Sequence, residues 1–424
     1  VLVAGTRARI PLEDLEPFLE IAGVKRIGDS RRLDRTSGDR IRQAALLIRT
    51  LVGENASSLQ RWLADDAAGV DWVRWLERQG LAQYAYWRLQ GCIGFSGLSE
   101  SVQAVLRNSY YQGVAFNALQ RDELEQVLSV LAQSGVETVI LKGMALAYTV
   151  YEDPLCRQHG DLDLWIRPEH LSEAMKALES LGYTSHDKAD RPAELICLVG
   201  GEQQMRSDIP GLGMIELQWP ALRGEWVRGA TAVDNEAIWR RRVPVVIEGC
   251  CVHTMAPEDT LIHLVLHQAI NHQFGHPWLR GLLDIHLVIL RQAIDWDEFV
   301  ARALGWRVAV VTWSMLDLVS RLLGAPVPET VLQSLAPSRW QQSGIARLRL
   351  EQALLEMRPG GYRHRRFLIQ LLLVDRARDA ARLLGRGLFP ESEWLRARYG
   401  ASTPGALWRA RLAHPWRLLT SARA

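Results

Sequence analysis

One apolar strand carrying two carboxylates constrains this chain more than any other feature: Asp161-Leu162-Asp163-Leu164-Trp165-Ile166. Side chains alternate along a strand, so Asp161 and Asp163 share one face while Leu162 and Leu164 turn into the sheet packing. The two acids then lie roughly 6.6 Å apart at Cα, two residues of strand rise. Both stay ionised cheaply only if water, a basic partner or a divalent ion compensates them. Such a pair also fits edge-strand solubility or structural salt bridges, so its neighbours in the chain decide.

Upstream, an apolar strand from Val139 to Leu141 runs through Lys142 and Gly143 into a helix-like segment from Met144 to Tyr151. Gly143 permits a tight turn and close approach of a ligand. The helix behind it offers unpaired N–H groups and the positive end of its dipole, which attract phosphate. Lys142 and Arg157 bracket the turn and can offset phosphate charge, Arg157 with a planar fork suited to two oxygens. Downstream, Met214-Ile215-Glu216-Leu217-Gln218 alternates apolar and polar residues as a half-buried strand does, and brings a third carboxylate, Glu216. Mg²⁺ favours a few carboxylates plus phosphate oxygens, and Mn²⁺ can substitute.

Leu141-Lys142-Gly143, Arg157, Asp161-Leu162-Asp163 and Ile215-Glu216-Leu217-Gln218-Trp219 together resemble the nucleotidyltransferase superfamily that shares the DNA polymerase β-like palm. Within it, they resemble a bacterial family of largely uncharacterised nucleotidyltransferases. The resemblance covers about residues 115 to 290 and the flanks loosely. It implies that Lys142, Gly143 and Arg157 bind nucleotide and that Asp161, Asp163 and Glu216 form the catalytic metal site. Glu216 would complete that site or take the acceptor's proton. The implied reaction moves NMP, with AMP expected, from an NTP to a hydroxyl of a small molecule or peptide and releases pyrophosphate. Members are often associated with peptide natural-product pathways.

The chain departs from the family pattern at two places. Met144 stands where many superfamily members place the serine of a Gly-Ser turn, and Gln218 stands where related proteins often have histidine. Glutamine cannot serve as acid, base or good metal ligand. These departures keep open a catalytically weak, nucleotide-binding regulatory protein; the same metal and phosphate groups would also serve a kinase-like phosphotransferase.

At 424 residues and 48% hydrophobic, the chain is too long for one typical domain and ample for a buried core. The pattern predicts an α+β protein: a small mixed-sheet core of the polymerase β-like palm type at 96–256, flanked by helical regions at 1–95 and 257–424. Helical spacing appears in Arg40–Leu51, Leu59–Ala67 and Asp71–Leu89, in a long segment Ser99–Ser134, and in Glu169–Leu181. Strands are expected at Glu194–Val199, Gln203–Ser207 and Gly213–Gln218, with turns at Gly200-Gly201 and Pro210-Gly211. Trp62, Trp72, Trp75 and Trp87 read as core packing.

Five cysteines (Cys92, Cys156, Cys197, Cys250 and Cys251) form no C-x-x-C pair and indicate neither a zinc ribbon nor a disulfide framework. With no apolar run of about 18 residues and acids where a signal peptide needs a hydrophobic core, the expectation is a cytoplasmic protein without a membrane partner. His263 and His267 lie four apart on one helical face, followed by His272 and His286. The glutamate that a zinc protease needs beside the first histidine is missing. Apolar surroundings favour structural histidines, although His267 and His272 could still touch acceptor or nucleotide. The net charge of +2 and the lack of any nucleic-acid-binding signature argue against a polynucleotide partner, and the arginines from Arg363 to Arg417 read chiefly as a solvated face.

Overall fold

The computed structural model describes residues 37–53, 63, 66–90, 95–186, 201–209, 213–272, 274, 279–350 and 366–421. Its centre is a seven-stranded mixed sheet: β1 (Val139–Ile140), β2 (Asp161–Trp165), β3 (Tyr183–Ser185), β4 (Glu202–Ser207), β5 (Met214–Gln218), β6 (Val243–Ile247) and β7 (Cys250–Thr254). The spatial order is β3-β4-β5-β2-β1-β7-β6. β2 runs parallel to β5 and antiparallel to β1, and β1 runs parallel to β7. The protein is thus α+β, a mixed sheet with helices before and after it.

Strand alternation sorts the side chains. Leu162, Leu164, Met205, Ile215 and Leu217 face a core shared with Leu124, Val127, Leu128 and Leu131 of the long helix Glu100–Gln133. That helix starts where Ser99 accepts a hydrogen bond from the Val102 N–H, and the chain leaves it through Gly135 at φ +72°. The second face of the same strands carries the polar residues.

Several boundaries differ from the sequence expectations for local reasons. The helix expected from Met144 begins at Lys142, so Gly143 lies inside the first turn. The left-handed backbone of the strand-to-helix turn falls on Lys142 (φ +45°), and Gly143 does not have positive φ. The pattern over Asp71–Leu89 is two helices, Asp66–Arg78 and Ala82–Gln90, separated at Gly80 (φ +67°). Glu169–Leu181 resolves into a 3₁₀ turn, Pro168–His170, and a helix, Leu171–Glu179. The β6–β7 hairpin was not read in the sequence; its two-residue turn, Glu248 and Gly249, has φ of +46° and +82°, the positive values a tight hairpin requires. The strand expected at Glu194–Val199 and the turn at Pro210-Gly211 lie outside the described residues, as does most of Leu59–Ala67.

The helical regions are not separate bodies on either side of the sheet. Leu47, Trp72, Trp75 and Leu106 belong to one continuous apolar cluster with Leu261, Val288, Val319 and Leu373. Among the described residues, no helix is long and apolar enough to cross a membrane.

Candidate active site

Parallel pairing of β2 with β5 sets Asp161 beside Met214 and Asp163 directly beside Glu216. Adjacent strands lie about 4.8 Å apart. Carboxylate oxygens of Asp161, Asp163 and Glu216 all fall within 4.8 Å of one another. Asp161 is partly exposed, whereas Asp163 and Glu216 are buried, at 3% and 7% exposure. Three acids this close and this dry must be compensated.

Two cations do so. Lys142 Nζ sits 2.6 Å from Asp163 Oδ1, and Arg223 Nη2 sits 2.8 Å from Glu216 Oε2. Arg223 also bridges to Glu202. Two glutamines complete the framework: Gln218 Nε2 donates to Asp163 Oδ1 at 2.6 Å, and Gln204 Nε2 donates to Glu216 Oε1 at 2.7 Å. The sequence marks Gln218 only as a departure from the family pattern, and neither Gln204 nor Arg223 is read from it as part of a site. For Gln218 the signal is the period of two, which puts it on the strand face of Glu216; Gln204 becomes a neighbour only through the β4–β5 register, which sets it opposite Glu216.

Electrostatics separates the acids. Burial works to raise Asp163, but Lys142 and its hydrogen bond overcome that and hold the carboxyl below the usual range. Burial and the neighbouring Asp163 push Glu216 up to about 7. Burial and Asp163 also raise Asp161.

Arg157 is placed differently from the phosphate clamp expected of it. Its Nε and Nη2 grip Asp284 at 2.9 and 2.7 Å, and the Tyr151 hydroxyl donates to the same carboxylate at 2.8 Å. The fork that would hold two phosphate oxygens therefore ties the loop before β2 to the Leu279–Arg291 helix. Gly143 matters through this arginine: a Cβ there would stand 2.9 Å from Arg157 Nη1 and 3.2 Å from His159 Cβ.

His267 and His272 come together, Nε2 to Nε2 at 2.8 Å. His267 lines a cavity with Lys142, Arg223, His263 and Asn271 that holds about 250 Å³ of empty space, part of it open to solvent. Burial and the nearby Lys142 lower His263 to about 3 and His272 to about 4. These histidines are therefore neutral near pH 7. His286 lies elsewhere in the core of its helix.

An oxygen-only trio beside the first turn of the Lys142–Thr149 helix suits a hard cation and a phosphorylated ligand. Residues 70–324, more than half of the chain, match the family described as "Uncharacterised nucleotidyltransferase". The chain belongs to that family, and its general activity is nucleotidyl transfer. A search of curated proteins found no match.

Two solved structures are similar in part. One is the solution structure of the antibiotic-resistance factor ANT(2'')-Ia, at 16% identity over 44% of this chain and 91% of that one, with a TM-score of 0.31. The other is an antigenic nucleotidyltransferase-like protein from Paracoccidioides brasiliensis, at 17% identity over 51% of this chain and 93% of that one, with a TM-score of 0.32.

Proposed function

We propose that Asp161, Asp163 and Glu216 hold Mg²⁺, or Mn²⁺, together with the phosphates of a nucleoside triphosphate, ATP being the expected one. NMP then passes to a hydroxyl of a small molecule or peptide, and pyrophosphate leaves. The observation that carries this reading is the register of Asp163 against Glu216, which with Asp161 gathers three carboxylates within 4.8 Å.

The residues present fit such an ion. All three donors are carboxylate oxygens, the ligand type that hard divalent cations take, and burial together with the charge of Asp163 pushes Glu216 up, a conflict that a bound cation would relieve. When bound, the ion would neutralise phosphate oxygens and stabilise the attacking and leaving oxygens of an in-line displacement.

The chain's own groups do the rest. Gln218 and Gln204 fix the rotamers of Asp163 and Glu216. Lys142, at the first residue of its helix, offers its ammonium and the helix N–H groups to phosphate. Arg157 acts by fixing the backbone around Gly143 and need not touch the nucleotide. The sheet-bearing nucleotidyltransferase core in this reading is 96–256, with the helix that follows it closing the site, and free Cys156, Cys250 and Cys251 fit a reducing cytoplasm.

Product analysis with labelled ATP tests the reaction type. Pyrophosphate marks attack at the α-phosphate, ADP marks a phosphotransferase, and binding without either product marks a regulatory protein.

A further inference from the structure

The Pro257–Leu266 helix continues into a π-helical turn, His267–Asn271, closed by a bond from the His272 N–H to the His267 carbonyl at 3.0 Å. Such turns insert one residue into a helix and are frequent at functional sites. In a regular α-helix, residues five apart point to different sides. The wider turn instead brings the His267 and His272 rings edge to face, with centroids 4.4 Å apart.

His267 lines the cavity described above, and His272 stands behind it. The cavity abuts the carboxylates through two of its own lining residues, since Lys142 reaches Asp163 and Arg223 reaches Glu216. Both cations are thus matched by acids. With neutral histidines and one amide completing the polar lining, the cavity suits an uncharged polar group. Much of its space is open to solvent, so it encloses no whole ligand and has room for one reacting group.

His263 names the kind of group. It is 3% exposed, and beyond a loose approach to the Ala221 backbone both ring nitrogens lack a hydrogen-bond partner. A neutral imidazole has one N–H to donate, and a hydroxyl oxygen can accept it while keeping its own proton directed elsewhere.

We infer that this cavity receives the reacting hydroxyl of the acceptor and that His267 takes its proton, with His272 as the positioning residue. The inference rests on the nucleotidyl-transfer reading and deepens it. The acceptor O–H bond breaks, and its proton goes to His267 Nδ1, which otherwise has a long 3.4 Å contact from the Asn271 amide. The new O–P bond forms at the α-phosphorus, and the bond to pyrophosphate breaks with its electron pair leaving on pyrophosphate. His267 Nε2–H donates to His272 Nε2 throughout, which sets the tautomer and stabilises the imidazolium. Negative charge on a nucleotide beside Lys142 raises the proton affinity of His267, so the substrate itself switches on the base.

The test uses the full chain with MgATP and glycerol as the hydroxyl probe, read as pyrophosphate release. His267→Ala should release pyrophosphate at least about 100-fold more slowly than wild type, and added imidazole should restore part of that rate. His267→Gln serves as the second, less disruptive variant and should be as slow. His272→Ala should lose about tenfold, and His272→Gln should recover most of it because its amide oxygen accepts the same bond. The Mg²⁺-dependent shift in melting temperature with ATP should persist in all four variants. Wild-type rates in His267→Ala, with that shift intact, overturn the inference and leave nucleotidyl transfer standing. Absence of the shift in wild type overturns the transfer reading, and this inference with it.

Discussion

Asp163 and Glu216 stand side by side in parallel register, and each is held by its own cation, Lys142 at 2.6 Å and Arg223 at 2.8 Å. The two acids share a sheet face yet respond in opposite directions. Asp163 is held as a carboxylate, while burial and Asp163's charge drive Glu216 toward its protonated form. One more cation among them would relieve that conflict.

Glu216 gives the pH prediction. Its folded value of about 7 lies above the ~4.3 of an unfolded glutamate. The folded state therefore binds more protons between those values, and stability falls as pH rises through that window, by at most about 1.4 kcal/mol per pH unit. In chelator-treated protein, Glu216→Gln should remove that fall and melt higher than wild type at pH 8. Parallel melting profiles for the two proteins from pH 4 to 8 would contradict this.

Gln218 should matter as a donor. Gln218→Leu removes one of the two 2.6 Å donors to the buried Asp163 Oδ1 and leaves Lys142 as the other; a hydrogen bond to a charged group is worth roughly 1.5–3 kcal/mol. Pyrophosphate release should drop at least about tenfold. Gln218→His, which keeps a ring N–H, should retain most activity. Equal rates for Gln218→Leu and wild type would show that the hydrogen bond has no part in the chemistry.

The Gly143 contact predicts a coupling. Gly143→Ala drives a methyl to 2.9 Å from Arg157 Nη1, and the grip of Asp284 keeps that guanidinium from retreating. The substitution should destabilise by about 1–3 kcal/mol, measured from urea midpoints. In an Arg157→Ala background the same substitution should cost less, a non-additivity expected of residues in contact. Additive losses would mean that the helix start, rather than Arg157, rejects the methyl.

The carboxylate strand was legible in the sequence because a period of two on an apolar background is a strong signal, and Leu162 and Leu164 are fully buried as it requires. Glu216 could be read for the same reason. Arg157 was not, because its partner Asp284 is 127 residues away and nothing local marks an arginine as already paired. The β6–β7 hairpin was missed since Val243, Pro244 and Val246 are exposed, which blurs alternation on an edge strand. Arg223 belongs to a loop, where no period points. The His267–His272 pair was obscured by its spacing: five residues apart is a non-contact in an α-helix, and only the π turn makes it one.

The most direct measurement is thermal melting with Mg²⁺ and each nucleoside triphosphate, on wild type and Asp163→Asn. A ligand at about 100 times its dissociation constant stabilises by roughly 2.7 kcal/mol, enough to move a melting curve. The account predicts a shift in wild type that requires Mg²⁺, is largest with ATP, and is lost in Asp163→Asn together with pyrophosphate release. An equal, Mg²⁺-independent shift in both proteins, or undiminished release from Asp163→Asn, would contradict it.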